Sequence, residues 1–504
     1  MRRISGLSLL VLLILSLAGC AFNLPGSGGG PDIPSLPGDA ALAEHLRGTV
    51  LVRLAGIQPE EAASAVGGTI ARARGDLVRI KLPSGASVSE AVKTLATRPG
   101  VACAEPVYIY QTPVVDTDPD RMQPARALTP DYSANQWAPG KINAGDVWSL
   151  SPDASGVIVA VVDTGIDLDN PEFAGRILEG YNAITAEEGP TVADDDYGHG
   201  THVAGIIGAA HETPDQVGIR GLAGDVKLMP VKVLDADGYG YNDEIAAGIN
   251  WAADHGADVI NMSLGGRGRS QVIQDAVDHA VRDHGVIVVA AMGNSYRPGW
   301  THYPAACEGV IAVGATRPDG TKADFSSEGP HISVAAPGED IFSCVWTAEG
   351  PTYASWSGTS MAAPHVAGLV ALLLSANPDA KPTKIRSVLE GSTGTSTWCE
   401  ETGNGQIDAY AAYSNYDAIA DVYGELAVTV THGGLPAPGA EVLIQTQTGA
   451  TATSSRTNEN GVAYFHLLRA GTYQVRVTYN NGAAGSQSGV VVTGGGSTPV
   501  AVVI

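Results

Sequence analysis

The sequence predicts an α/β fold: a parallel sheet covered by helices on both faces, preceded by a small α+β unit and followed by a C-terminal β-sandwich. Three observations carry this. Over residues 132–423, short wholly apolar runs alternate with segments of helical periodicity. Over residues 44–111, a short stretch alternates strand-like and helix-like segments. Over residues 424–504, helix formers give way to Val, Thr and Gly, with turn signals between short runs.

The N-terminus reads as an export signal. Arg2 and Arg3 precede an apolar run, 7–17, that is too short for a membrane span. Leu17-Ala18-Gly19-Cys20 closes it and resembles a bacterial lipoprotein signal. The resemblance implies removal of residues 1–19 as a signal peptide and lipidation of Cys20, whose thiol accepts the lipid. Residues 20–43, rich in Gly, Pro and Ser, then form a lipid-anchored flexible tether. The expected location is outside the cytoplasm, either lipid-anchored in the cell envelope with a membrane as partner or, where Cys20 is incidental, secreted.

In the unit 44–111, strands are expected at 48–54, 77–82 and 101–111, and helices at 59–66 and 87–97. Pro59 suits the start of the first helix. Ser87 and Glu90 form a capping-box pair at the start of the second. Residues 112–131 read as a linker containing a processing site.

In the region 132–423, Gly156-Val-Ile-Val-Ala-Val-Val162 is apolar throughout, as a strand buried on both faces must be. Similar runs lie at 226–234, 258–264, 286–291 and 310–313. Segments 242–255 and 270–284 carry apolar residues at helical spacing. Ligands of such sheets bind beyond the carboxyl ends of the strands, which points to Asp163, Gly265 and Asn294. In the last region, strands are expected at 426–431, 441–446, 462–467, 472–479 and 490–493.

Composition narrows the function. Apolar residues make up 44% of the chain, enough for substantial cores. Acidic residues outnumber basic ones 53 to 29, for a formal charge of -24. Phosphate backbones repel such a chain, which argues against a nucleic-acid partner. Besides Cys20 there are Cys103, Cys307, Cys344 and Cys399, at no zinc-ligand spacing. An exported protein can pair such residues, and their spacing does not choose a pairing.

Three motifs carry chemistry. Asp163-Thr-Gly-Ile-Asp167 sets a carboxylate at the end of a buried strand, where it must be hydrogen-bonded. In Gly198-His-Gly-Thr-His-Val-Ala-Gly205, small residues leave His199 room beside another backbone segment. Gly358-Thr-Ser-Met-Ala-Ala-Pro-His365 opens an apolar helix and sets Ser360 near its N-terminus, where unpaired N–H groups stabilise a developing negative oxygen. Each residue has a plain structural reading, as turn Asp, packed His or helix-capping Ser. The capping role falls equally to Thr359, and Pro364 in the first turns is a cost that a merely structural helix would avoid. Asn294, after Ala290-Ala-Met-Gly, adds an amide donor for the same charge. A hydroxyl needs an adjacent base, so the roles are Ser360 as nucleophile, His199 as base and acid, and Asp163 as the group that orients the ring. No Gly-x-Ser-x-Gly surrounds Ser360, which argues against an α/β-hydrolase.

With the order Asp, His, Asn, Ser, residues 135–413 resemble the subtilisin-like serine proteases. The resemblance implies a subtilisin-like catalytic domain that hydrolyses peptide bonds of proteins through an acyl-enzyme, with broad specificity and no cofactor for the chemistry. It implies that 44–111 is a propeptide that assists folding and inhibits the enzyme, lying across the cleft until cleavage between Gln111 and Tyr132. Ser263, Leu264, Gly265 and Gly266 match the segment that pairs with an extended substrate and lines the S1 pocket, and Gly238 and Gly240 match the opposing strand. His302 falls at the base of S1, where the family often has a small residue. A structural calcium site is implied on the side chains of Gln136, Glu172 and Asp215 and the carbonyls of Ala210, Val217 and Ile219. Glu172 departs from the usual Asp there, and the loop 211–217 is long. Thr457-Asn-Glu-Asn-Gly-Val-Ala-Tyr464 and Gly471-Thr-Tyr-Gln-Val475 resemble transthyretin-like sandwiches appended to extracellular enzymes. The expected partners are protein substrates, the chain's own propeptide and a membrane, and the chain is expected to be a monomer. The competing reading is an inactive protease fold that binds ligands through its sandwich; the four filled catalytic positions argue against it.

Overall fold

The computed structural model describes residues 44–112, 133–150, 152–210, 218–295, 300–395, 397–479 and 482–504. Cys20, the signal and tether, nearly all of the linker, Asp215 and Val217 lie outside the described residues.

The first unit comprises β1 (His45–Leu54), α1 (Pro59–Ala65), β2 (Thr69–Arg74), β3 (Leu77–Lys81), α2 (Val88–Ala96) and β4 (Val101–Gln111). The strands form an antiparallel sheet in the order β2-β3-β1-β4. Ser87 caps α2 as expected, accepting the Glu90 N–H. Val50, Val52, Ile80 and Leu95 form its own core. The strand β2 was not expected: Thr-Ile-Ala-Arg-Ala-Arg is mostly exposed at the sheet edge, so it lacks an apolar face.

Two short helices follow, α3 (Ala138–Lys141) and α4 (Ala144–Trp148). The main sheet and its helices are β5 (Ile158–Asp163), β6 (Gly180–Asn182), β7 (Glu187–Gly189), α5 (His199–Gly208), β8 (Lys227–Lys232), β9 (Tyr239–Tyr241), α6 (Asn242–Asp254), β10 (Val259–Met262), α7 (Gln271–Asp278), β11 (Ile287–Ala291), β12 (Val310–Thr316), β13 (Ile332–Pro337), the hairpin β14 (Ile341–Val345) and β15 (Thr352–Trp356), and the helices α8 (Thr359–Ala376), α9 (Pro382–Gly391) and α10 (Ala409–Ser414). The sheet order is β13-β12-β11-β10-β5-β8-β6-β7, parallel except for the β6–β7 pair. Alternate residues of β5 feed two separate cores. Val159 and Val161 face one with α5 and α8, and Ala160 and Val162 face the other with α6 and α7. That is why the strand is apolar at every position. Helix α8 has the length and hydropathy of a membrane span, but 89% of that window is buried inside the protein. It is a core helix, apolar on all sides for that reason. The segment expected as one helix over 270–284 is α7 followed by a single π turn, His279–Asp283.

The final unit contains β16 (Tyr423–His432), β17 (Leu435–Pro436), β18 (Glu441–Thr446), β19 (Thr451–Arg456), β20 (Val462–Arg469), β21 (Gly471–Tyr479), β22 (Ala483–Val492) and β23 (Ser497–Val503). One sheet holds β17, β16, β20 and β23, the other β19, β18, β21 and β22. Leu426, Val428 and Phe465 from the first sheet share a core with Val442, Ile444 and Val475 from the second. The unit is tied to α7 by a buried pair, His466 Nε2 to Asp278 Oδ1 at 2.9 Å. Cys103, Cys307, Cys344 and Cys399 form no disulfide with one another.

Candidate active site

Asp163 is the last residue of β5 and is fully buried. Its Oδ1 accepts the Thr164 N–H at 2.8 Å and faces His199 Nδ1 at 2.7 Å. That pairing fixes Nδ1 as the protonated nitrogen and leaves Nε2 with its lone pair. His199 opens α5. The small neighbours have a steric cause. A Cβ on Gly200 would lie 1.9 Å from the Gly165 carbonyl oxygen, and one on Gly198, at φ +101°, would lie 2.8 Å from the Trp346 carbonyl oxygen. His199 Nε2 is buried and has no hydrogen-bond partner among the described residues.

Ser360 lies in the first turn of α8, which packs against α5. Its hydroxyl donates to the Ser263 carbonyl at 3.0 Å, and the Ser263 hydroxyl donates back to the Ser360 carbonyl at 2.8 Å. The Ser360 hydroxyl is thus parked on Ser263, and the imidazole is held by the carboxylate at Nδ1 and stacks on the Trp356 ring, centres 6.2 Å apart. Asn294 follows β11. Its Oδ1 accepts both the N–H and the Oγ1–H of Thr359 at 2.8 Å. Thr359 Oγ1 in turn accepts the Gly293 N–H at 3.0 Å. The carboxamide oxygen is therefore committed, and the NH2 end is turned away from Thr359.

The cleft is filled by the first unit. The end of β4 pairs antiparallel with β9: Ile109 with Tyr241, Tyr110 with Gly240 and Gln111 with Tyr239. On the other side Gln111 and Gly265 exchange two main-chain hydrogen bonds, and Thr112 N–H donates to the Gly238 carbonyl at 3.1 Å. A Cβ on Gly266 would lie 2.6 Å from the Ile109 carbonyl oxygen, so this glycine allows the strand its close approach. Tyr110 is fully buried, its hydroxyl on the Gly268 carbonyl at 2.7 Å. Gly238, Gly240, Gly265 and Gly266 thus line one channel around an extended strand. Ser263 and Leu264 are buried behind it.

His302 packs directly on Gly293, where a Cβ would lie 2.7 Å from its ring, one residue from Asn294. Burial pushes its pKa down. In the expected calcium region, Glu172 Oε1 accepts the Ile219 N–H at 3.1 Å and the Tyr353 hydroxyl at 2.5 Å, while Oε2 is buried with no partner among the described residues. Ala210 N–H donates to the Glu172 carbonyl. Gln136 uses both carboxamide atoms on the Arg220 backbone, at 2.8 and 3.0 Å.

A carboxylate, an imidazole, a helix-terminal serine and an extended strand in the cleft define a serine peptidase of parallel α/β architecture held by its own N-terminal unit. The comparisons give the family. The model described as "Subtilase family" matches residues 154–411, "Fervidolysin N-terminal prodomain" matches 34–106, and "Carboxypeptidase regulatory-like domain" matches 425–504. Fervidolysin of Fervidobacterium pennivorans is 34% identical over 541 residues, covering 95% of this chain and 76% of that protein. Thermitase of Thermoactinomyces vulgaris is 40% identical over 287 residues, covering 56% of this chain and 97% of that protein. The crystal structure of fervidolysin, "a keratinolytic enzyme related to subtilisin", superimposes with a TM-score of 0.75 at 30% identity, covering 93% of this chain and 79% of that one. The chain belongs to the subtilase family, and it is a serine-type endopeptidase with a prodomain.

Sequence reasoning missed the supports. Asp195 is the largest omission. Its Oδ1 accepts the Thr164 hydroxyl and the Tyr197 and Gly198 N–H groups, and its Oδ2 accepts the Thr201 N–H and hydroxyl. It thereby fixes the loop of Asp163 to that of His199. The run Asp194-Asp-Asp196 just before the His motif was a visible signal. The sequence marks Thr359 only as a cap, and its hold on Asn294 has no sequence signature.

Proposed function

We propose that this chain is an exported, zymogen-type endopeptidase of broad specificity, anchored through lipid on Cys20, with Ser360, His199 and Asp163 as its triad and Asn294 in the oxyanion site. Rotation about the Cα–Cβ bond of Ser360 turns its hydroxyl from Ser263 to His199 Nε2. His199 takes the proton as Oγ attacks the peptide carbonyl carbon, while Asp163 stabilises the imidazolium. The oxygen that gains charge is met by the Asn294 amide and the N-terminus of α8. His199 then protonates the leaving amine, and water attacks the acyl-enzyme by the reverse path. The observation that carries this is the seating of residues 109–112 between Gly238–Gly240 and Gly265, a substrate-like strand laid along the cleft. Peptide backbone is recognised there by main-chain pairing, which supports broad specificity. The export and anchor rest on the basic, apolar and Leu-Ala-Gly-Cys pattern at the N-terminus. A serine-reactive phosphonate probe tests the triad: wild type is labelled and Ser360→Ala is not. Labelling of both, or of neither after prodomain removal, overturns the assignment. Metabolic labelling with a palmitate analogue, lost in Cys20→Ala, tests the anchor.

The reading includes a structural calcium ion held by Glu172, Gln136 and the Ala210 and Ile219 carbonyls, with Asp215 and Val217. The unpartnered buried Oε2 of Glu172 fits a hard cation. The ion would supply cross-linking of three segments and no chemistry. Chelation should lower the thermal midpoint of the parent and leave Glu172→Gln unchanged; equal shifts would refute the site.

A further inference from the structure

We propose a second metal site, for a divalent transition ion of the zinc type, on Asp254, His279 and His284. It is at the surface, at the end of α6, and shares no residue with the catalytic cleft or the calcium region. Asp254 is the last residue of α6. His279 begins the π turn, and His284 follows it directly. The two imidazoles are five residues apart. An α-helix would set them on diverging faces, but a π turn, with its i to i+5 bonding, sets them one above the other. Their rings meet edge to face at 4.8 Å. Both Nε2 atoms converge on one oxygen: His279 Nε2 lies 2.9 Å and His284 Nε2 3.2 Å from Asp254 Oδ1. Ligands of a tetrahedral ion with bonds of about 2.0–2.1 Å stand about 3.3 Å apart, so these spacings need only slight expansion around an ion.

The surroundings favour an ion as well. His279 Nδ1 faces Asp283 Oδ2 at 2.9 Å. Asp283 is gripped by Arg282, Nε to Oδ1 and Nη2 to Oδ2, each at 2.7 Å. Arg282 is itself seated over the Tyr464 ring, 4.4 Å from its centre. This is the carboxylate–histidine–metal arrangement, which fixes the tautomer with Nδ1 protonated and the Nε2 lone pair directed outward. With Nδ1 carrying the proton, the Nε2 lone pair of His279 is directed at the Asp254 carboxylate oxygen, where an ion would bridge the two acceptors. Two imidazoles and one carboxylate select zinc, copper or nickel over calcium, which takes oxygen ligands. The side chains are a third to a half exposed, which leaves the fourth position to water. The ion would clamp the end of α6 to the π turn and, through Arg282 and Tyr464, stiffen the seat of the sandwich.

The test is calorimetric titration of full-length Ser360→Ala protein with zinc chloride in saturating calcium. The parent should bind one zinc ion more than His279→Ala/His284→Ala, and Asp283→Asn should weaken that ion about 10–100-fold, the usual effect of losing such a support. Zinc should also raise the thermal midpoint of the parent and not of the double variant. All three positions are at the surface, so circular dichroism should show the variants folded as the parent is. Equal zinc stoichiometry and affinity in parent and double variant, or no zinc binding by the parent, overturns the proposal.

Discussion

The main chains of Gln111 and Gly265 exchange two hydrogen bonds of 3.0 Å, N–H to carbonyl in each direction. This reciprocal pair fixes the register of the prodomain strand in the cleft. Thr112 still pairs with Gly238, so the chain is delivered in extended form to the catalytic groups at that point. Processing is therefore expected just beyond Thr112, and not near Tyr132 at the far end of the linker. N-terminal sequencing of the matured enzyme checks it. A first residue close to Tyr132, with no earlier species during maturation, would show that the strand does not guide the cut.

Thr359 is expected to be a positioning residue for Asn294. Thr359→Val keeps the shape of the side chain and deletes the hydrogen bonds of Oγ1 to Asn294 and Gly293. A hydrogen bond of this kind is worth about 1–1.5 kcal/mol, so a loss expressed only in the transition state lowers kcat about tenfold. KM should hold, and Thr359→Ser should restore kcat. Steady-state hydrolysis of a peptide anilide separates the cases. A raised KM at constant kcat would mean that the residue serves ground-state binding.

How much of this was legible depends on where the physical constraint lies. The run 156–162 betrayed β5 because burial on both faces demands apolar residues at every position. Gly198 and Gly200 announced their site because no larger residue fits beside the Trp346 and Gly165 carbonyls. Ser87 named its own helix start. In contrast, β2 is an exposed edge strand with no apolar face to read, and β23 completes the sandwich by a parallel pairing with β16 that no local pattern encodes. The π turn at His279–Asp283 shares its apolar spacing with an ordinary helix, so the meeting of His279 with His284 was invisible. The parking of Ser360 on Ser263 joins residues 97 positions apart and is set by rotamer, which sequence does not carry.

Glu105 should govern how long the zymogen stays closed. Its carboxylate is buried where the prodomain meets the start of two helices. It accepts the Asn242 amide at 2.6 Å, the Gln271 N–H at 2.8 Å and the Ser270 hydroxyl. Both helix N-termini favour a negative charge there. Burial pushes the Glu105 pKa up, while those hydrogen bonds oppose the shift. Truncating such a buried, hydrogen-bonded charge at an interface costs about 2–5 kcal/mol. Glu105→Ala should therefore shorten the lag before peptide hydrolysis appears in refolded full-length protein, with Glu105→Gln between it and the parent. An unchanged lag would place the hold elsewhere, on Arg79 with Asp243 and Glu244.

Acid should weaken the fold through two buried histidines outside the proposed triad. His202 is fully buried against Trp356, ring centres 4.7 Å apart, and burial chiefly pushes its pKa down to about 3. His365, inside α8, is pushed down by burial to about 4. In the unfolded chain both titrate near the ordinary value of about 6.5. As pH falls below that, the unfolded state takes up protons that the native state refuses, so stability is complete above about 6.5 and is lost towards 4 and below. For His365 the loss amounts to about 3 kcal/mol by pH 4, at about 1.4 kcal/mol per pKa unit. Urea unfolding of Ser360→Ala protein at pH 7, 5.5 and 4 measures it. The midpoint should fall with pH, and His365→Gln should fall less steeply, because one proton fewer is taken up on unfolding. Parallel slopes in the two proteins would mean that His365 is already charged in the native fold, and that the packing around α8 tolerates that charge.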